Sequence, residues 1–102
     1  MIDLASRDLA TVRKILLHRV PQREVRIFGS RVKGTARRFS DLDLVILGET
    51  PIDADVLRLL REDFEESDLP FRVDVLDGCR LPSEFHRVLA GEASEPILPA
   101  RP

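Results

Sequence analysis

The run Asp41-Leu42-Asp43-Leu44-Val45-Ile46-Leu47 constrains this chain more than any other. Its second half is continuously apolar, which predicts a central strand covered on both faces. Its first half carries two acids. Residues two apart on a strand project from one face, so Asp41 and Asp43 stand together while Leu42 and Leu44 turn into a core. Acids that open a buried strand need a reason, because carboxylates are costly to desolvate and repel each other. The blander reading of the pair is a polar strand end beside a turn.

Other elements arrange themselves around this strand. Leu9, Val12, Leu16 and Val20 recur at helical spacing and predict an amphipathic helix ending before Pro21. Glu24 to Phe28 alternates as a strand and stops at Gly29-Ser30. Ser30 to Arg38 reads as a short helical turn and loop. A second helix is predicted over Ile52 to Ser67, with Val56, Leu57, Leu60 and Phe64 on one face and Asp53 as its cap. Phe71 to Leu76 is a third strand, and strand, helix, strand in this order permits a right-handed parallel crossover. Ser83 is the expected N-cap of a last helix with Phe85, Val88 and Leu89 inward and Gly91 as its stop. The expected architecture is α+β: a small mixed sheet of about three strands with helices packed mainly on one face. Residues 1–92 form the domain, and the Pro-rich tail 93–102 is expected to be a loose extension.

The chain has 102 residues, enough for one domain and no separate acceptor domain. A large substrate would therefore be held partly by a partner chain or by another copy, a homo-oligomer. The net charge of -2, with no Trp or Tyr for stacking, argues against direct nucleic-acid binding. Charge is nevertheless uneven. Arg23, Arg26, Arg31, Lys33, Arg37 and Arg38, against Glu24 alone, give one segment a charge of +5 in an otherwise acidic chain. Such an island suggests a local anion site, or else a solvated loop. The single Cys79 excludes an internal disulfide, and no apolar run reaches the length of a membrane span. A soluble, cytoplasmic protein is expected. His18 and His86 read as surface residues, with no partners for a zinc site.

The chemistry lies in Gly29-Ser30, Asp41-x-Asp43 and Asp74. Asp74 alternates with Val73 and Val75, and joins the other two acids if the second and third strands are neighbours in the right register. Three carboxylates on one patch call for hard divalent cations, and magnesium accepts few carboxylates plus water and phosphate. A strand running into Gly-Ser and a helical turn leaves backbone N–H groups free for an anion, and Gly29 lets a phosphate approach closely. Arg31, Lys33 and Arg37 could add positive charge there.

Gly29-Ser30-Arg31-Val32-Lys33-Gly34-Thr35-Ala36 followed by Ser40-Asp41-Leu42-Asp43-Leu44 resembles the polymerase-beta-like nucleotidyltransferase superfamily. Its signature is Gly-Ser, about ten residues, Asp-x-Asp on a strand and a third acid on a later strand. The Arg-x-x-Gly-Thr-Ala detail and the small size look like the minimal nucleotidyltransferase group. The resemblance spans roughly Ala5 to Leu89 and implies several roles. Asp41 and Asp43 would ligate two Mg2+ ions, and Asp74 would complete the catalytic metal site. Gly29 and Ser30, with Arg31 and Lys33, would hold the triphosphate of ATP. In that group the protein is often the antitoxin partner of a HEPN-type ribonuclease toxin and adenylylates one of its tyrosines. The Pro-rich ending departs from the pattern.

Two other readings compete with the enzyme. A non-catalytic binding module could neutralise a toxin or serve as the nucleotide-binding subunit of a two-chain transferase; clustered acids argue against it. Transfer to a small molecule or an RNA end would ordinarily require an acceptor domain that this chain has no room for.

Overall fold

The computed structural model describes residues 2–91 and 94–99, and the side chains of residues 88–91 are outside that description. The elements are α1 (Ser6–Arg19), β1 (Val25–Phe28), α2 (Ser30–Lys33), β2 (Leu42–Ile46), α3 (Ala54–Glu65), β3 (Val73–Asp77), a 3-10 turn (Gly78–Arg80), α4 (Ser83–Gly91) and β4 (Glu95–Leu98). They form one sheet in the order β3-β2-β1-β4. β1 runs antiparallel to both β2 and β4, whereas β2 and β3 are parallel and joined through α3. This is the expected α+β fold, with four strands rather than about three.

Strand alternation divides the sheet into two chemically different faces. Val25, Ile27, Leu42, Leu44, Ile46 and Val75 turn to one side and are buried together with Val12 and Leu16 of α1 and Leu60 and Phe64 of α3. The opposite side carries Arg26, Phe28, Asp43, Val45 and Asp74. Val45 is fully buried as well, which explains why β2 reads as an unbroken apolar run. Phe85 of α4 reaches this second face, with its ring edge-on to Phe28 at a centroid distance of 5.5 Å. The inward placement expected of Val88 and Leu89 lies outside the described residues.

Polar side chains fix the connections. Asp53 caps α3 by accepting from the Asp55 and Val56 N–H groups at 2.9 and 3.3 Å. Arg19 of α1 forks onto Asp63 of α3, with Nε 2.6 Å from Oδ2 and a second donor 3.2 Å from Oδ1. The hydrogen bond from Arg19 holds the Asp63 carboxyl below the usual carboxylate range. Asp77, expected as a turn residue, is the last residue of β3 and is buried. Its two oxygens accept from Ile52 N–H and Cys79 N–H, so it ties the start of the α3 connection to the 3-10 turn.

The tail corrects the expectation of a loose extension. Glu95–Leu98 pairs with β1 as an edge strand, and Ile97 and Leu98 are buried in the core. Pro96 is tolerated because the outer edge of a sheet needs no N–H from it, and the register shifts between Val25 and Arg26 where it pairs. Arg13 donates to the Ile97 carbonyl at 3.1 Å, and Arg26 donates to Ser94 Oγ and to the Ser94 carbonyl. Among the described residues no helix is long and apolar enough to cross a membrane.

Candidate active site

The site is assembled where the end of β1 meets the starts of β2 and β3. β1 runs antiparallel to β2, so its last residue, Phe28, pairs with Asp43 near the start of β2. The parallel register of β2 with β3 then pairs Asp43 with Asp74. Asp41 lies just before β2, two residues from Asp43 and on the same side. Register therefore brings Asp43 and Asp74 together, and Asp41, just before β2, is near enough for its charge to act on Asp43.

Their electrostatics follow from that placement. The Asp43 carboxyl is raised above its ordinary range, first by burial and then by the charges of Asp74 and Asp41. The rise marks crowded negative charge that a cation would relieve. Carboxylate oxygens are also the donors that magnesium accepts, so the residues fit the ion. The side chains are not already drawn into a cage: among the described residues, no three His, Cys, Asp or Glu side chains converge as a metal site. Asp74 instead pairs with Arg72, NH2 to Oδ1 at 3.3 Å. Three carboxylates in proximity repel, and Arg72 supplies positive charge to one of them.

Gly29 joins β1 to α2 with φ 81° and ψ -153°, a conformation that L side chains rarely adopt. A Cβ at this position would lie 2.6 Å from Oδ2 of Asp43. The turn therefore presses bare backbone against the acid. The Gly29 carbonyl accepts from the N–H groups of Val32 and Lys33, which sets the first turn of α2. The first N–H groups of a helix lack partners in the preceding turn, which is what suits such a turn to an anion. Gly29 thus stands against Asp43, and Ser30 begins α2. Lys33 ends α2 and is exposed.

Arg31 does not join them, and its expected role at the phosphate is corrected. It is 6% exposed, and its guanidinium is spent on backbone carbonyls: Ser40 at 2.8 and 3.1 Å, Asp3 at 3.0 Å and Arg38 at 3.3 Å. It also lies 4.3 Å from the centroid of the Phe71 ring. Arg31 is an internal strut. By fixing the Ser40 carbonyl it fixes the residue that precedes Asp41. Sequence reasoning took it for a phosphate ligand because a cation after Gly-Ser is ambiguous until the 35–40 loop is seen folding back over it. Arg72 was missed altogether. Its only signal was its spacing of two from Asp74, which places both on one face.

A groove of about 990 Å3 adjoins the acids. It follows the outer edge of β3 and is lined by Asp41 and Asp74, by Phe39 and Phe71, and by Arg72 and Val73, among others.

Comparison with known proteins identifies the family and the fold. The model of the nucleotidyltransferase domain family matches residues 9–97. The chain is 47% identical over 88 residues to a probable protein adenylyltransferase MntA of Haemophilus influenzae, covering 86% of this chain and 77% of that protein. The fold is shared with a crystal structure of a toxin–antitoxin with AMP-PNP: TM-score 0.72, 22% identity, 92% of this chain and 75% of that one. It is equally close to a mutant of the toxin–antitoxin MntA–HpeT, with TM-score 0.72 and 19% identity over 91% of this chain and 74% of that one. With a family match across most of its length, the chain belongs to the nucleotidyltransferase domain family.

Proposed function

We propose that this chain is a magnesium-dependent protein adenylyltransferase, the antitoxin of a toxin–antitoxin pair, which transfers AMP from ATP to a tyrosine hydroxyl of its HEPN-type toxin. The observation that carries the reading is the register that sets Asp43 beside Asp74 and backs Asp43 onto the Gly29 turn. The similarity to a probable protein adenylyltransferase supports the choice of nucleotide and of a protein acceptor. The fold shared with a toxin–antitoxin carrying AMP-PNP supports the choice of partner.

In this reading Gly29 and Ser30 hold the β- and γ-phosphates, with Lys33 adding charge from the end of α2. Asp41 and Asp43 would hold the magnesium ions, with Asp74 contributing to the catalytic one. When bound, the ions neutralise charge on the phosphates and lower the pKa of the attacking hydroxyl. Asp74 accepts the hydroxyl proton as the new oxygen–phosphorus bond forms at the α-phosphate, and pyrophosphate leaves. For this Asp74 must give up Arg72, which it can do cheaply because both side chains are substantially exposed.

The acceptor is a separate molecule. The sequence contains no tyrosine, so it has no tyrosyl hydroxyl of its own to modify. The test uses ATP labelled on either the α- or the γ-phosphate, with the purified chain, magnesium and a lysate of its source cells. Label from the α-position alone, on a band destroyed by protease but not by ribonuclease and stable as a phosphotyrosyl ester, is the expected outcome. Transfer of γ-label would mean phosphoryl transfer, and a ribonuclease-sensitive product would move the acceptor to RNA.

A further inference from the structure

We propose that the acceptor reaches the site as an extended peptide segment laid along the open edge of β3, with an apolar side chain against Phe39 beside the hydroxyl that Asp74 receives. The inference rests on the transferase reading and says where and in what form its protein substrate binds.

The direction of attack comes first. At phosphorus, attacking and leaving oxygens lie roughly in line. The leaving pyrophosphate belongs at the Gly29-Ser30 turn, which follows β1, and the acids stand on β2 and β3. In the order β3-β2-β1, the nucleophile must therefore approach from the β3 side. That is the side on which the groove opens, with Asp41 and Asp74 forming part of its wall.

The backbone there can receive a strand. Leu42 N–H donates to the Arg72 carbonyl at 2.8 Å. In a parallel ladder this turns the polar groups of Arg72, Asp74 and Leu76 toward β2 and those of Val73 and Val75 outward. β3 is the end strand of the sheet. The Val75 carbonyl is covered by Arg61, whose NH2 lies 2.9 Å away, so pairing is blocked at that point. The free stretch is the beginning of β3, next to Asp74. A short strand added there gains backbone hydrogen bonds and brings its alternate side chains over the groove.

The floor beside that stretch is apolar. Phe39 is 65% exposed, the one large apolar side chain so exposed among the described residues, and it flanks Asp41. Phe71 lies below, held against Arg31. The Arg38 guanidinium lies 5.2 Å from the Phe39 ring centroid, and the exposed remainder of the ring provides a contact for an apolar neighbour of the acceptor residue. A ribose-phosphate chain would meet the carboxylates of Asp41, Glu65 and Asp74 here, and the two basic residues, Arg61 and Arg72, are already engaged by the Val75 carbonyl and by Asp74.

The experiment uses a short synthetic peptide with a central tyrosine flanked by leucines. It is compared with N-acetyltyrosine amide, with the same peptide N-methylated on alternate backbone nitrogens, and with a short oligoribonucleotide. Transfer from Mg-ATP is measured for wild type and Phe39→Ala. The expected KM for the peptide is at least about tenfold below that of the amide, with the advantage lost on N-methylation and in Phe39→Ala. Affinity for Mg-ATP stays unchanged in Phe39→Ala. Equal use of peptide and amide, preference for the oligoribonucleotide, or indifference to Phe39→Ala would overturn the proposal. Binding is read separately with an ATP analogue whose α- and β-phosphates are joined by a methylene group, so that no AMP can be transferred, by the fluorescence of the peptide's tyrosine, to which a chain without Trp or Tyr adds no background. Binding by wild type that Phe39→Ala loses supports the groove even if no acceptor is labelled, an outcome that would instead sink the transferase reading. Absence of binding overturns the groove itself.

Discussion

Gly29 backs directly onto Asp43, leaving no room for a methyl group between the turn and the acid. The contact joins the turn after β1, proposed to hold phosphate, to the acid on β2 proposed to hold metal, with no side chain intervening. Gly29→Ala introduces both a positive-φ strain and a clash 2.6 Å from Oδ2. It should cost about 1–3 kcal/mol of stability and remove most nucleotide binding. Thermal denaturation and Mg-ATP titration of this variant check both halves of the expectation. Gly34→Ala is the control: it shares a positive φ of 79°, but a Cβ there meets nothing within 4 Å, so nucleotide binding should survive.

Arg31 is expected to act through structure. Arg31→Ala empties a buried position and leaves the partly buried carbonyls of Asp3, Arg38 and Ser40 without this donor, and should destabilise the fold by about 1–3 kcal/mol. Arg31→Lys should recover little of that, because an ammonium cannot reproduce a planar fork that serves several carbonyls and stacks on Phe71. Chemical denaturation of the two variants is the measurement. A phosphate ligand would show the opposite pattern, with stability intact and lysine an adequate substitute.

These two residues also show how far the sequence could be read. The acid strand, the Gly-Ser turn and the capped α3 announce themselves through local rules: alternation, an apolar run, an aspartate ahead of a helical stripe. The meeting of Asp43 with Asp74 depends on register between strands thirty residues apart, which the sequence permits without dictating. Arg31 was misread because its role is decided by the path of the 35–40 loop. β4 was missed because Glu-Pro-Ile-Leu neither alternates nor favours a strand; Ile97 and Leu98 are drawn into the sheet by the apolar surface they bury.

Removal of residues 94–102 should therefore be costly. It exposes the core contacts of Ile97 and Leu98 and leaves β1 with one unpaired edge. Burial of two large aliphatic side chains is worth roughly 3–6 kcal/mol, and a loss of that order should appear as a much lower denaturation midpoint. A truncated chain as stable as the full one would return these residues to the status of a tail.

Stability should also fall in acid through the Arg19–Asp63 pair. The Asp63 carboxyl is held below its ordinary range in the folded state, so the pair stabilises above the unfolded pKa. That contribution is lost as the pH falls through the lower, folded value. Asp63→Asn should accordingly be less stable than wild type at neutral pH, with the gap closing as the solution becomes more acidic than the usual carboxylate range. Melting curves of both proteins across pH test this, and a gap independent of pH would contradict it.

The central claim is that the acids on β2 and β3 transfer a nucleotidyl group. Its most direct test compares wild type with the Asp41→Asn/Asp43→Asn double variant, each given α-labelled ATP, magnesium and the source-cell lysate. The account predicts a labelled protein band with wild type and a loss of roughly a thousandfold or more in the folded double variant. Equal labelling by both would contradict it, because chemistry that survives without Asp41 and Asp43 cannot belong to this site.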